Sequence, residues 1–110
     1  MKKTAPPLLV LLTVACASHV RISQLLADPG YYDGKTVVTS GSVRQSAGVL
    51  NYGTYEITDS SGKITVVTTS GGAPRDNTRV EVKGKFHAAF TLGTASLAVL
   101  EEKDRRPLGP

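Results

Sequence analysis

Most of the chain alternates between apolar and polar residues, with the period of two that is typical of β-strands buried on one face. The clearest stretch runs from Arg79 to His87, where valine, glycine and phenylalanine alternate with charged residues. Similar stretches precede and follow it, separated by turn residues. The pattern predicts five strands, at Lys35–Arg44, Thr54–Asp59, Lys63–Thr69, Arg79–His87 and Thr94–Leu100.

A different spacing precedes the strands. Ile22, Leu25 and Leu26 recur at i, i+3 and i+4, which predicts a short amphipathic helix. Pro29 disfavours helical geometry in the residue before it and ends this helix. At the other end of the chain, the polar run from Glu101 with Pro107 and Pro110 predicts a frayed end, and we set a flexible tail at 104–110. The fold class is therefore all-β with one short N-terminal helix.

Two predicted strands contain a glycine on the face that the alternation turns inward, Gly41 in the first and Gly84 in the fourth. Glycine weakens a strand interior unless the sheet bends tightly or another backbone approaches closely. Such bends occur where a small sheet closes on itself. We therefore expect a five-stranded Greek-key barrel of OB-fold type. A small SH3-like barrel is the alternative.

Three stretches resemble a known group of domains. They read "ISQLLADPGYYDGKTVVTSGSV", "YEITDSSGKITVVTT" and "RVEVKGKF", and they are similar to the small OB-fold domains of bacterial envelope proteins and to tRNA-anticodon-type OB-fold domains. The resemblance covers about residues 20–102. It implies a binding domain, because OB-folds bind ligands on one sheet face and through two neighbouring loops.

The N-terminus predicts a targeting segment. Lys2 and Lys3 precede an apolar run at residues 8–15, which is too short to span a membrane. "LTVAC", ending at Cys16, resembles the lipobox of bacterial lipoproteins, which implies cleavage before Cys16 and lipidation of that cysteine. An ordinary signal peptide cut near Ala15 or Ala17 is the alternative. The expected organisation is a signal peptide at 1–15, a lipidated tether at 16–21, a barrel domain at 22–103 and the tail at 104–110.

The lipobox also implies a location and a charge. We expect a bacterial envelope protein anchored in the membrane through Cys16, with its domain facing the periplasm or the exterior. Ala17 stands where enteric lipoproteins retained in the inner membrane carry aspartate, so the outer membrane is favoured. The full chain has 13 basic and 9 acidic side chains, a net charge of +4. Cleavage removes Lys2 and Lys3 and leaves 11 against 9, which is too balanced for a strongly basic nucleic-acid binder.

Catalytic and metal-binding motifs are missing from the sequence. Cys16, the only cysteine, has no partner for a disulfide and no neighbouring ligands for a metal site. No arrangement of serine, histidine and aspartate and no phosphate-binding glycine loop is recognisable. The H-x-x-x-Y motif of OB-type haem chaperones is also absent, because Thr91 follows His87 by four residues and Ser23 follows His19. We expect neither enzymatic activity nor a cofactor.

The OB-fold resemblance places the expected binding site on the second and third predicted strands and on the loops Gln45–Gly53 and His87–Gly93. We expect a protein or an envelope component as the ligand. The alternative is single-stranded nucleic acid, which needs a positive groove and aromatic stacking platforms. The candidate ligand-binding residues are Arg44, Asn51, Tyr52, Lys63, Thr65, Lys83, Lys85, His87 and Phe90.

Overall fold

The computed structural model describes residues 18–49, 52–69 and 72–109. Cys16 with the rest of the predicted lipobox, and Asn51, lie outside these residues. The described part of the chain forms six strands and two short helices. They are β1 (Ser18–His19), α1 (Ile22–Ala27), α2 (Pro29–Tyr32), β2 (Thr36–Val49), β3 (Tyr52–Asp59), β4 (Gly62–Thr68), β5 (Arg79–Leu92) and β6 (Ala95–Pro107).

Five of the strands close into a barrel in the order β2-β3-β4-β6-β5, with β5 pairing back onto β2. The long strand β2 closes it, because its first half pairs with β5 at Thr36–Ser42 and its second half pairs with β3 at Ser42–Val49. β4 and β6 pair in parallel, and the other barrel pairings are antiparallel. This is the predicted five-stranded OB-fold barrel.

The two inward glycines lie where neighbouring backbones leave no room for a side chain. A Cβ atom at Gly41 would lie 2.6 Å from the carbonyl oxygen of Thr58 on β3. At Gly84 it would lie 2.6 Å from the carbonyl oxygen of Glu101 on β6. The pairing of β5 with β6 also shifts register between Lys83 and Gly84. Close backbone approach in a narrow barrel therefore explains both glycines.

The helix α1 covers one end of the barrel. Ile22 and Leu25 are fully buried and join the apolar interior. The backbone N–H of Ile22 donates to Asp59 Oδ2 at 3.0 Å, and that of Ser23 donates to Ser61 Oγ at 3.0 Å. These bonds fix α1 to the β3–β4 turn. The interior cluster beneath it consists of Val37, Val43, Tyr55, Ile57, Ile64, Val66, Val80, Val82, Phe86 and Leu100.

The opposite end of the barrel is closed by polar groups. The Tyr55 hydroxyl donates to Glu102 Oε1 at 2.5 Å, and the Thr68 hydroxyl donates to Glu102 Oε2 at 3.1 Å. Arg105 Nη1 donates to Glu102 Oε1 at 3.1 Å. Ala73, in the segment between β4 and β5, packs against the core nearby.

Several strands are longer than the sequence pattern predicted. β2 continues to Val49 and β3 begins at Tyr52, so most of the predicted loop Gln45–Gly53 is strand. β5 continues to Leu92, so most of the predicted loop His87–Gly93 is strand as well. β6 continues to Pro107, so the predicted tail at 104–110 is wrong over its first residues. The extra residues of β6 are stabilised by pairing with β5 and by the bond from Arg106 Nε to Glu81 Oε1 at 2.7 Å. These partners lie on another strand, so the local sequence pattern does not reveal them.

Two further elements were not predicted. Pro29 ends α1 as expected, but it also begins α2, because proline is well tolerated in the first turn of a helix. β1 adds two residues in parallel to the start of β2. None of the helices in the described ranges is both long and apolar enough to cross a membrane.

Candidate ligand-binding face

One row of side chains crosses the outer surface of the barrel. It runs through directly paired residues on five strands, from Arg44 on β2 through Glu56, Thr65 and Val99 to His87 on β5. Residues paired directly across a ladder point to the same face of a sheet. The row therefore brings together three of the predicted binding residues: Arg44, Thr65 and His87.

A second row runs beside the first, from Thr54 through Val67 and Glu101 to Lys85. Val67 is 5% exposed, although it lies outside the interior cluster. Val99 in the first row is likewise fully buried outside that cluster. The two rows thus enclose a covered apolar strip. We call the surface formed by both rows, together with Lys63, Phe90 and Leu97, the outer face.

Charged and aromatic groups meet at the β5 edge of the outer face. His87 Nε2 donates to Glu101 Oε1 at 2.8 Å, and Lys103 Nζ lies 3.6 Å from Glu101 Oε2. The hydrogen bond from His87 is the main cause that holds the pKa of Glu101 below its usual range. The ring of Phe90 lies 5.3 Å from the His87 ring, centroid to centroid. Phe90 is also paired with Leu97.

A small depression of about 90 Å³ interrupts the outer face beside β2. Gln45, Thr54, Tyr55, Glu56 and Thr65 line it. It forms where the β2–β3 ladder shifts register between Arg44 and Ala47 and Gln45 adopts a φ of 53°. This left-handed backbone turns β2 away from β3 locally and leaves the depression open.

The segment between β4 and β5 fixes that bend. Arg44 Nη1 donates to Asn77 Oδ1 at 3.0 Å, and the backbone N–H of Ser46 donates to Asp76 Oδ1 at 2.9 Å. The bond from the Ser46 backbone is the main cause that holds the pKa of Asp76 below its usual range. The Ser46 hydroxyl donates to the carbonyl of Pro74. The position of Arg44 on the outer face is therefore set by contacts between residues that are 28 to 33 positions apart in the chain.

The remaining predicted residues lie at the borders of this surface or beyond it. Lys63, which is exposed, lies opposite Thr58 at the α1 end of the outer face. Lys83 pairs with Val38 and Asp104, on the far side of Lys85 from the aromatic pair. For Tyr52 the structure describes the backbone at the start of β3. Asn51, as noted, is outside the described residues.

Sequence reasoning missed Glu56, Val99 and Glu101, which occupy the centre of the outer face. The alternation alone marks Glu56 as outward, but only the register places it between Arg44 and Thr65. Within the described ranges no group of three or more histidine, cysteine, aspartate or glutamate side chains could hold a metal ion. The arrangement favours binding of an extended ligand through aromatic and cationic contacts at the exposed positions of the two rows.

Known proteins resemble this chain in structure, at low sequence identity. No protein-family model matches the chain, and no curated protein sequence matches it. A structure from Leishmania major Friedlin, assigned as an aspartyl-tRNA synthetase, matches 94% of this chain and 23% of its own, with a TM-score of 0.66 and 15% identity. Asparaginyl-tRNA synthetase from Pyrococcus horikoshii matches 81% of this chain and 22% of its own (TM-score 0.64, 20% identity).

A third structure is a replication protein A heterotrimer bound to single-stranded DNA. It matches 70% of this chain and 59% of its own, with a TM-score of 0.55 and 19% identity. The chain thus spans less than a quarter of either synthetase chain. At these identities the likeness shows the fold, and the described part of this chain is an OB-fold domain.

Proposed function

We propose that this chain is a non-catalytic OB-fold domain that binds single-stranded nucleic acid across its outer face. The observation that carries the proposal is the row that places Arg44, Thr65 and His87 on one surface, beside Phe90 and Lys85. OB-folds bind oligonucleotides on this part of the barrel. The solved structures with the same fold include one bound to single-stranded DNA, which supports the same class of ligand.

The chemistry of the outer face suits such a ligand. Phe90 and His87 offer two adjacent rings on which bases could stack, each stack being worth roughly 1–3 kcal/mol. Arg44, Lys63 and Lys85 surround the apolar strip and would contact phosphates. Glu101 is engaged by His87 and Lys103, so its negative charge is partly neutralised.

These contacts predict weak binding with a modest salt dependence. Two stacks and three phosphate contacts correspond to a dissociation constant on the order of micromolar. For three neutralised phosphates on a single strand, log K should fall with log salt with a slope of about −2. A tenfold rise in salt should then weaken binding about 100-fold.

Fluorescence anisotropy with a labelled oligothymidine of about 15 nucleotides tests the proposal at several salt concentrations. Phe90→Ala should weaken binding roughly 5- to 100-fold through loss of one stack. Arg75→Gln, which removes an exposed charge that is not part of the outer face, is the control and should change the dissociation constant less than twofold. Absence of saturable binding at 100 µM protein, on the order of 100 times the expected constant, would exclude the proposal.

A second candidate function is favoured by the sequence "LTVAC" at Leu12–Cys16 after a basic and apolar N-terminus. In this proposal the chain is a bacterial envelope lipoprotein whose outer face binds a protein or an envelope component. Because Ser18 and His19 already pair with β2, the predicted tether at 16–21 shortens to Cys16 and Ala17, and the barrel would work beside the bilayer.

Mass spectrometry of the native protein separates the two candidates. A diacylglyceryl group on an N-terminal Cys16, lost in Cys16→Ser together with membrane association, would support the envelope function. An unmodified Cys16 thiol in the mature protein would exclude the lipid anchor. Lipidation without oligonucleotide binding would leave the envelope adaptor as the function of the outer face.

A further inference from the structure

A cavity of about 580 Å³ lies beside the first half of β2, separate from the outer face. Its floor is the stretch Thr39–Ser42. One wall is the N-terminal segment His19–Arg21 with Gln24, and the other is the end of β3 at Thr58–Ser60. Arg79 at the start of β5 completes the lining. None of the residues that define the outer face lines this cavity.

The strand pairing explains why the cavity exists. β1 pairs with β2 at Val37 and Val38, whereas β3 pairs with β2 from Ser42 onward. The edge of β2 at residues 39–41 therefore has no strand neighbour on this side within the described ranges. The N-terminal wall is held by the bond from Val20 N–H to the Val38 carbonyl at 3.0 Å. His19 Nε2 also donates to Glu81 Oε2 at 3.2 Å.

The polar groups of the lining are unequally satisfied. Asp59, the carboxylate of the lining, accepts bonds from the backbones of Ile22, Ser61 and Gly62 and from the Ser61 hydroxyl. By contrast, neither Arg21 nor Arg79 forms an ion pair within the described ranges. The cavity therefore offers two cationic groups whose charge is not used by the fold.

The floor of the cavity is formed by residues with hydroxyl groups. Thr39 is 1% exposed, and its Oγ1 has no hydrogen-bond partner. A buried hydroxyl without a partner is costly, and such groups in folded proteins call for a specific explanation. Ser40, Ser42 and Ser60 add further hydroxyl groups to the lining. The Thr39 hydroxyl is closed off from solvent, so the hydroxyl groups of the lining that can contact a ligand are those of the serines.

We propose that this cavity binds a small phosphate-bearing ligand of the size of a sugar phosphate. Arg21 and Arg79 would hold the phosphate, since the guanidinium fork matches phosphate oxygens and forms charge-assisted hydrogen bonds. The hydroxyl groups of the floor would bind the hydroxylated remainder. The volume lies within the range of small-molecule sites in proteins. A free sugar phosphate and a phospholipid headgroup share this chemistry.

Titration of the ¹⁵N-labelled full chain with glucose 6-phosphate, inorganic phosphate and glucose, followed by NMR, tests the proposal. Glucose 6-phosphate should shift the amide signals of Ser40, Gly41 and Ser60 saturably, inorganic phosphate should do so more weakly, and glucose should not. Arg79→Gln should weaken glucose 6-phosphate binding at least tenfold. Arg75→Gln, an exposed arginine outside the cavity, is the matched control and should change binding less than twofold.

Ser40→Ala provides an independent readout, because it removes a partly exposed hydroxyl group of the lining. Without ligand the variant should keep its melting temperature, while the rise in melting temperature caused by glucose 6-phosphate should shrink. Co-sedimentation with phosphatidylglycerol vesicles, against phosphatidylcholine vesicles, identifies a lipid headgroup as the source if Arg79→Gln abolishes it.

Two results would overturn the proposal. One is the absence of saturable shifts with any phosphate probe, vesicles included. The other is equal weakening by Arg75→Gln and Arg79→Gln, which would indicate non-specific charge attraction. Phe90→Ala should leave the glucose 6-phosphate shifts unchanged, so failure of this site and failure of oligonucleotide binding on the outer face are separable.

Discussion

The two ends of the barrel are closed by opposite chemistry. At one end α1 inserts Ile22 and Leu25, both fully buried, into the apolar interior. At the other end the Glu102 side chain, only 5% exposed, accepts hydrogen bonds from Tyr55, Thr68 and Arg105. An apolar plug tolerates small shifts of its parts, whereas a buried carboxylate depends on every donor being in place.

The difference affects how each end contributes to the domain. Burial raises the pKa of the Tyr55 hydroxyl, and the bond to the negatively charged Glu102 raises it further. The hydroxyl therefore stays protonated and acts as a donor. Tyr55 also borders the depression on the outer face, so the polar end lies next to that part of the surface. The apolar end borders the cavity beside β2 through Arg21 and Gln24.

The largest expected effect belongs to the apolar end. Leu25→Ala removes a fully buried side chain that a short helix holds in place, and it should lower the free energy of unfolding by about 2–5 kcal/mol. Leu26→Ala, at a neighbouring position that is 42% exposed, is the matched control and should cost much less. Urea unfolding of both variants measures the difference. Equal losses would mean that α1 does not plug the barrel.

The barrel wall between the two ends gives the next test. Gly84→Val must place a side chain against the Glu101 backbone and Leu100, and it should cost about 1–3 kcal/mol of stability. Lys83→Ala, one residue earlier and exposed, should stay within about 0.5 kcal/mol of wild type. Thermal melts of the two variants measure the two losses of stability. A larger loss for Lys83→Ala would contradict the inward direction of Gly84.

The local pattern was sufficient for the strands, the first helix and the inward glycines, because alternation and helical spacing are properties of neighbouring residues. It was insufficient for the ends of β5 and β6, where charged residues such as Arg106 continue a strand because of partners across the ladder. It also assigned no separate roles to Glu101 and Glu102. One faces outward to His87 and the other inward to Tyr55.

In the candidate site, too, some residues were predictable from the local pattern and their arrangement was not. Arg44, Thr65 and His87 were predictable, because each is an outward position on a strand that OB-folds use for binding. Their alignment in one row through Glu56 and Val99 depends on register across five strands. The cavity beside β2 depends on where β1 and β3 stop pairing with β2. Both are non-local facts that a single sequence does not contain.

A moderate effect is expected at the polar end. Tyr55→Phe removes one donor to Glu102 and leaves Thr68 and Arg105 in place, so the loss should be about 1–2 kcal/mol. Tyr31→Phe, at a position that is 60% exposed, is the control and should have almost no effect. Chemical unfolding at neutral pH measures both. A loss as large as that of Leu25→Ala would show that the polar plug stabilises the barrel as strongly as the apolar one.

The smallest effect concerns the carboxylate that joins the apolar end to the barrel. Asp59 is partly desolvated, which alone would raise its pKa, but hydrogen bonds from Ser61, Ile22 and Gly62 outweigh this and lower the pKa. A carboxyl group with a lowered pKa in the folded state stabilises the protein above its unfolded pKa, about 3.9 for aspartate. That stabilisation is lost as the pH falls through the lower, folded-state pKa.

Asp59→Asn keeps the shape of the side chain and removes its charge. At pH 6 the variant should be less stable than wild type by about 1 kcal/mol, a value reduced by the solvent exposure of the group. The gap should close as the pH falls from 4 towards 2, because protonation then removes the wild-type advantage. Asp28→Asn, at the C-terminal end of α1 and with an exposed side chain, controls for general charge effects. If the gap for Asp59→Asn were independent of pH, the ionised carboxylate would not be what holds α1 over the barrel.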